Sequence, residues 1–501
     1  MLLETLWRQE GIWYTVLRYT TLRNEGDFIL SLRRLRGVDA YVWYNQTPTN
    51  HMHTLKVAIL DTANSSIPYS AERFTRDLND RLHRIPSFRW LLLETPLGLH
   101  HPLWVDDPDF DIARHVFRAT AKAPGGPRER DEIIGAVAST PLPADRPLWQ
   151  VHLIEELADG RVAAVVKVHH AMADGNAAAN QLLSITDDPE GVAPPTTPWN
   201  PAPVPSRSTL IWQALRAHPP QARRLAELFR QTQRGRRAAK EYWDRRGASP
   251  TRPFSGPRTF LNGTIDHRRG FATTAVPLEA VNALRGSDYS VNDFVLAIAT
   301  GALRRILLDH NDLPGEALVA YVPAATSRLP DRLYGNSVGP LFTELPVHID
   351  DCRRRLPLIH DGMQSARQAN DLLGPHLFDD WLEYVPPKLF TWIAGAYSRS
   401  KLVARRRPRM NVLVSNVRGP PQPLTIFGLP MCDFYSVGPL DIGMALNITV
   451  WSYGGNLNFN VLTCPAQLSD AHAVTAAIQD AFYELQSSFE RMTGPRAEAE
   501  S

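Results

Sequence analysis

LWQVHLIEELADGRVAAVVKVHHAMADGNA, residues 148–177, holds two apolar runs joined by ADGR, and the second run ends on a pair of histidines. Leu148–Leu157 and Arg161–His170 are rich in Val, Leu and Ile, which predicts two strands. The short Asp-Gly link predicts a hairpin between them. The second run is apolar nearly throughout, as a strand buried on both faces would be. It therefore delivers His169 and His170 to its C-terminal end, just ahead of Asp174 and Gly175.

The flanking sequence extends this into an α/β unit. HMHTLKVAIL, up to Leu60, reads as a strand. SAERFTRDLNDRLHRI follows with Phe74, Leu78 and Leu82 at helical spacing, FRWLLLET as a strand, and RERDEIIGAVAS as a second helix. A proline-rich bridge, APPTTPWNPAPVPS (193–206), interrupts the pattern. Residues 208–246 return to helix with Leu225, Leu228 and Phe229 on one side.

Beyond the bridge the same grammar recurs. SVNDFVLAIATGALRRILLDH predicts an amphipathic helix with Ser290 as N-cap and Asn292 and Asp293 in its first turn. ALVAYVPAA, LFTELPVHI, MNVLVSNVRG, ALNITVWSY and NLNFNVLTC read as strands, and AHAVTAAIQDAFYELQSSFERM as a closing helix. The fold class is therefore α/β (α+β), two domains with mixed sheets. The boundaries are an N-terminal extension of unassigned role at 1–36, a first domain at 37–192, a crossover with a basic helix at 193–250, a second domain at 251–495 and a tail at 496–501.

Bulk properties narrow the function. A length of 501 residues exceeds one ordinary core. A net charge of +2 argues against a general nucleic-acid binder. Three dispersed cysteines, Cys352, Cys432 and Cys464, form neither a disulfide framework nor a CxxC metal site, as expected of a reducing compartment. No run of about 18 uncharged apolar residues is present to cross a membrane. Glu4, Arg8 and Glu10 stand where a secretory signal would be apolar, so a cytoplasmic location is expected.

Three readings suit HHxxxDG. In the first, one histidine is a general base facing a cavity. Its neighbour packs inward, Asp174 fixes the loop, and Gly175 makes a turn closed to other residues. In the second, His170 and Asp174 bind a metal, although no third ligand has recognisable spacing. In the third, the pair is structural. GNSVG (335–339) imitates a nucleophile elbow around Ser337, but a polar loop precedes it and a strand follows it, the reverse of what that motif needs. If the chemistry is acyl transfer with no activated nucleophile, the acyl group must arrive activated and a hydroxyl or amine attacks it directly with histidine as base. The first turn of the SVND helix is then a candidate donor for the oxyanion.

HHxxxDG, RPLWQVHLIEEL and SVNDFVLA together resemble the bacterial wax ester synthase/acyl-CoA:diacylglycerol acyltransferase family, a branch of the CoA-dependent acyltransferases. The likeness runs from GVDAYVWYNQTPTNHMH (Gly37 onward) to Met492 and takes in DDPDFDIARHVFRA, Pro147-Leu148-Trp149, YGNSVG, SNVRGP and LNITVWSYGGNLNF. It implies two chloramphenicol-acetyltransferase-like domains with a tunnel at their interface. It makes His170 the base, His169 its support and Asp174 mainly structural, and it puts Gly175, Asn292, Asp293 and Trp149 near substrate. Trp149 is equally a candidate for the core. Arg418 departs from the family, which more often has proline there.

The implied reaction is acyl transfer from acyl-CoA, a co-substrate, to diacylglycerol or a long-chain alcohol, with no cofactor and no metal. A carrier-protein donor and a silent lipid-binding paralogue are the alternatives. The apolar stretch from Trp381 leads into six basic residues between Arg399 and Arg409, which predicts peripheral contact with the inner membrane or lipid droplets, a packed helix and solvated loop being the other reading.

Overall fold

The computed structural model describes residues 33–65, 67–187, 199–247, 249–326, 332–400 and 402–493. The extension to residue 32, much of the proline-rich bridge and the tail lie outside these. From Arg34 onward the described residues form one unit.

In chain order, its first half contains α1 (Gly37–Tyr44), β1 (His53–Asp61), α2 (Ala71–Arg81), β2 (Trp90–Leu93), β3 (Leu103–Asp106), β4 (Val116–Thr120), α3 (Pro127–Ser139), β5 (Trp149–Leu157), β6 (Arg161–His169), α4 (Gly175–Ile185) and the long α5 (Arg207–Arg246). The second half contains β7 (Gly270–Pro277), α6 (Leu278–Arg285), α7 (Val291–Asp309), β8 (Leu318–Ala325), β9 (Val338–Leu345), α8 (Cys352–Leu373), α9 (Leu377–Leu382), α10 (Pro387–Arg399), α11 (Leu402–Arg405), β10 (Val412–Val417), β11 (Thr425–Ile426), β12 (Leu429–Val437), β13 (Leu446–Tyr453), β14 (Asn456–Thr463) and α12 (Ala471–Thr493).

Two six-stranded mixed sheets organise these elements. The first has the order β11-β12-β1-β6-β5-β4, antiparallel except where β4 runs parallel to β5. The second has the order β9-β8-β10-β13-β14-β7, with β10 parallel to both of its neighbours. The expected hairpin is present, β5 and β6 pairing from Trp149↔Val168 onward. Its partner on the other side is β1, in register from His53↔His169 to Asp61↔Arg161.

Alternation explains why β1 sits centrally. Leu55, Val57 and Ile59 enter a core shared with Ile134 and Val137 of α3 and with Phe271 and Leu462 of the second sheet. Ala58 and Leu60 point the other way, into a core closed by Phe74 and Leu78 of α2. The second sheet is buried under α7, α8 and α12, through Phe294, Ile298, Ile359 and Ile478 among others.

One strand crosses between the halves. β12 comes late in the chain, yet it pairs antiparallel with β1 and extends the first sheet. Its sequence, LPMCDFYSV, conceals this: Pro430 and Asp433 break the alternation and a register shift lies between Met431 and Asp433. α5 forms as the sequence suggests, capped by Ser206 and ended by Gly247 in the left-handed region. Leu228 is buried in it, but Phe229 stays half exposed, edge-on to Trp381.

Candidate active site

Where β6 ends, the backbone is pinned from both sides. His170 N donates to Met52 O at 2.8 Å and Met172 N to His169 O at 2.9 Å, making a tight turn beside β1. Gly335 N donates to Met172 O at 2.6 Å, so the GNSVG segment of the second half clamps this turn. Asn336 completes the clamp, its Nδ2 donating to His170 O and to Asp39 Oδ1, both at 2.8 Å. Ser337, the false nucleophile, donates its N–H to Asp174 Oδ2 at 2.8 Å and is buried.

His169 faces inward and is fully buried. Ala171 N donates to its Nδ1 at 3.1 Å, which leaves the proton on Nε2, 2.8 Å from Gln46 Oε1. Burial, with the neighbouring His170, pushes its pKa down to about 3, so this imidazole is neutral and fixed in one tautomer.

His170 faces the other way, into a cavity of about 460 Å³ between the two sheets. Among the described residues its enclosed Nδ1 has no side-chain hydrogen-bond partner. Burial, and then the charge of Lys56, lower its pKa below the ordinary value. The backbone of His170 and Ala173 and the Asp174 carboxylate act in the opposite direction.

Asp174 caps α4, accepting from Ala177 N at 3.0 Å through Oδ1. Its Oδ2 accepts from Ser337 N and, at 2.5 Å, from Arg332 Nη2. Both oxygens are thus committed to the loop, which disfavours Asp174 as a metal ligand. Among the described residues no three His, Cys, Asp or Glu side chains are grouped to hold a metal ion.

Gly175 departs from expectation. It is the first residue of α4 and does not have a positive φ. Space is what demands glycine: a Cβ there would lie 2.9 Å from Val417 Cγ2 of β10. Gly419 is likewise crowded, by Trp451 and Ser452.

The structure brings His170, Asp174 and Gly175 together on the cavity wall, with His169 directly behind. It places the other candidates elsewhere. Trp149 is core: it is fully buried, stacked on Phe88 and His115, and its Nε1 donates to Phe88 O at 2.7 Å. Asn292 and Asp293 do not line the cavity. Asp293 forms a reciprocal cap with Ser290, accepting from Ser290 N at 2.9 Å, and pairs with His360 Nδ1 at 2.9 Å. The first turn of α7 therefore lies outside the lining of this cavity. The first turn of α4, Gly175 and Asn176, does line it.

Sequence reasoning missed Gln46, Asp39, Asn336 and Arg332 as the residues that hold the histidine turn. Asp39 and Gln46 lie inside GVDAYVWYNQ, already singled out, but their partners are distant in the chain. Burial raises the Asp39 pKa to about 7, with Asn336 pulling it back. Arg418 sits exposed at the cavity rim.

Comparison with known proteins agrees with this architecture. Residues 35–295 match the family described as wax ester synthase/diacylglycerol acyltransferase catalytic domain, and residues 334–486 its C-terminal domain. A relative from Mycobacterium tuberculosis, named as a diacylglycerol O-acyltransferase, is 36% identical over 462 residues, covering 91% of this chain and 96% of its own. A second from the same organism is 34% identical over 470 residues, 91% and 90% of the two chains. The solved wax ester synthase/diacylglycerol acyltransferase of Marinobacter aquaeolei superposes with a TM-score of 0.65 at 22% identity, over 91% of this chain and all of that one. The first condensation domain of the calcium-dependent antibiotic synthetase shares the fold with a TM-score of 0.57 at 16% identity, over 91% of this chain and 97% of that one. On the sequence matches, with the two-sheet fold and the clamped HHxxxDG turn beside them, this chain belongs to the wax ester synthase/diacylglycerol acyltransferase family.

Proposed function

We propose that the protein is an acyl-CoA-dependent O-acyltransferase that makes triacylglycerol from diacylglycerol and, as a parallel activity, wax esters from long-chain alcohols. The observation that carries this is the imidazole of His170, neutral at physiological pH and set in the wall of a cavity between the two sheets.

In the proposed reaction Nε2 of His170 takes the proton of the acceptor hydroxyl as its oxygen attacks the thioester carbonyl. The tetrahedral oxyanion lies against the first turn of α4 at Gly175 and Asn176, whose positive end favours the new charge. Collapse breaks the C–S bond, and the imidazolium returns the proton to the departing CoA sulfur. No acyl-enzyme forms. His169 and Asp174 act as positioning residues, one holding the strand end and the other the loop.

Contact with an anionic membrane surface supports delivery of such acceptors. On α10, Leu389, Trp392 and Ile393 are 53%, 66% and 47% exposed. The chain then continues into Arg399, Arg405, Arg406 and Arg407. Among the described residues no helix is long and apolar enough to cross a membrane. Flotation with phosphatidylglycerol vesicles, but not with phosphatidylcholine alone, is expected, and Trp392→Ser should weaken it. Equal flotation of the variant would remove α10 from the interface.

The activity is tested by incubating the enzyme with palmitoyl-CoA and either dipalmitoylglycerol or hexadecanol and identifying the products by mass spectrometry. Tripalmitin or palmityl palmitate is expected. Free palmitate alone would contradict the reading.

A further inference from the structure

Lys56, on β1, stands in the wall of the same cavity as His170. His170 N donates to Met52 O at 2.8 Å, and Thr54 and Lys56 follow Met52 on one face of the strand, each step advancing roughly 7 Å. Met52, Thr54, Lys56 and His170 all line the cavity. Electrostatics places them in one neighbourhood: the charge of Lys56 acts on His170, and that of Asp174 on Lys56.

The Lys56 side chain is partly buried. Among the described residues nothing hydrogen-bonds or ion-pairs with its ammonium. Lys167 is the contrast. Burial lowers the pKa of both lysines to about 8. The Lys167 Nζ, however, donates to Val137 O, Thr140 O and Thr140 Oγ1 at 2.9–3.0 Å, and Lys167 is not part of the cavity lining. Lys122, Lys240 and Lys388 are exposed. Position therefore sets Lys56 apart: it is an untethered amine on a flexible four-carbon stem inside the reaction chamber.

His170 aside, the rest of the lining offers no comparable nucleophile. None of Cys352, Cys432 and Cys464 lines the cavity. Arg409 and Arg418 do line it, but a guanidinium keeps its proton. The hydroxyls of Thr54, Ser415, Ser436 and Thr449 need a base before they attack, whereas a desolvated lysine amine does not.

We infer that Lys56 is a self-acylation site: when no acceptor hydroxyl occupies the chamber, its amine takes the acyl group of the donor thioester as an amide. The inference rests on the acyltransferase reading above, which supplies the thioester. The ammonium gives one proton to solvent, and the neutral Nζ adds to the thioester carbonyl carbon. The C–S bond breaks, a second proton passes from nitrogen to the departing CoA sulfur, and nothing is oxidised or reduced. The amide lies off the path to the ester, because a hydroxyl does not displace an amide nitrogen as it does a thiol. It removes the Lys56 charge and leaves an acyl chain anchored in the chamber, so the modified enzyme is blocked.

The test incubates the full chain with palmitoyl-CoA and no acceptor. Hydroxylamine, which cleaves thioesters and leaves amides, is then added, and mass spectrometry reads the intact protein and its proteolytic peptides. One palmitoyl group is expected, on the peptide containing Lys56, and esterification of hexadecanol added later should be lost in proportion to the modified fraction. Lys56→Arg, which keeps the charge, should stay unmodified and hold its own starting rate. Palmitoylation of Lys167 or of the exposed lysines to the same level as Lys56 would overturn the assignment. So would an unmodified wild type that makes palmityl palmitate in a parallel reaction. Full activity in fully modified enzyme would overturn the block. The wild-type peptide map decides the site even where Lys56→Arg does not fold. Should the wild type neither transfer the palmitoyl group nor become modified, the acyltransferase reading fails, and hexadecanal with cyanoborohydride tests the amine by itself. Imine formation and reduction at Lys56 ahead of the other lysines supports the reactive amine, and uniform labelling overturns it.

Discussion

His169 and His170 share a peptide bond yet meet opposite surroundings, because successive side chains at a strand end project to opposite faces. His169 is locked by Gln46 and the Ala171 N–H, while His170 lines the cavity. Protonated imidazole cannot accept a proton, so with His170 as the proposed base activity should fall as pH drops through its pKa. Because burial and Lys56 depress that pKa, the acid limb of kcat/KM should lie below pH ~6.5, the ordinary value. Lys56→Met removes one of the lowering charges and should move the limb upward; an unmoved limb would separate Lys56 from His170 electrostatically. Asp174 calls for a different measurement. Asp174→Ala strands Arg332 and uncaps α4, and should lower stability by about 3–5 kcal/mol in denaturant unfolding. Asp174→Asn, which keeps the cap, should lose less.

At the scale of elements, α4 approaches β10 so closely that Gly175 is a spacing residue. Gly175→Ala should cost about 1–3 kcal/mol through overpacking, and Val417→Ala should recover most of it, because the contact is with that side chain. Failure of the second change to help would return the explanation to backbone conformation. Elements with strong periodicity are legible in the amino-acid sequence: β1, β5, β6, α2, α3 and α7 follow from period-2 or helical spacing of their own residues. β12 is not, because its proline, aspartate and register shift erase the alternation, and its pairing with β1 is a tertiary fact. Trp149 is ambiguous for a related reason. Its position at a strand start is visible in sequence, whereas the ring stack that buries it is not.

The molecule as a whole is tied together by exchanged parts. β12 of the second half completes the first sheet, and Gly335, Asn336, Ser337 and Arg332 of the second half hold the histidine turn of the first. Residues 34–250 expressed alone would leave the β1 edge unpaired and the turn unclamped. That fragment should be insoluble or aggregated, and co-expression with residues 251–493 should restore soluble protein. A soluble, folded fragment would show that the exchanged strand is dispensable. The cavity between the sheets belongs to this scale too. HHxxxDG announces the histidines in the sequence, but a space bounded by residues hundreds of positions apart has no local signature.

His170 is the proposed base for acyl transfer to a hydroxyl. Release of free CoA thiol from palmitoyl-CoA, followed with diacylglycerol, with hexadecanol and with neither, tests it most directly. Wild-type release should depend on acceptor, and His170→Ala should lower it by about 10²–10⁴-fold while remaining folded by circular dichroism. Acceptor-dependent release that survives intact in His170→Ala would contradict the account.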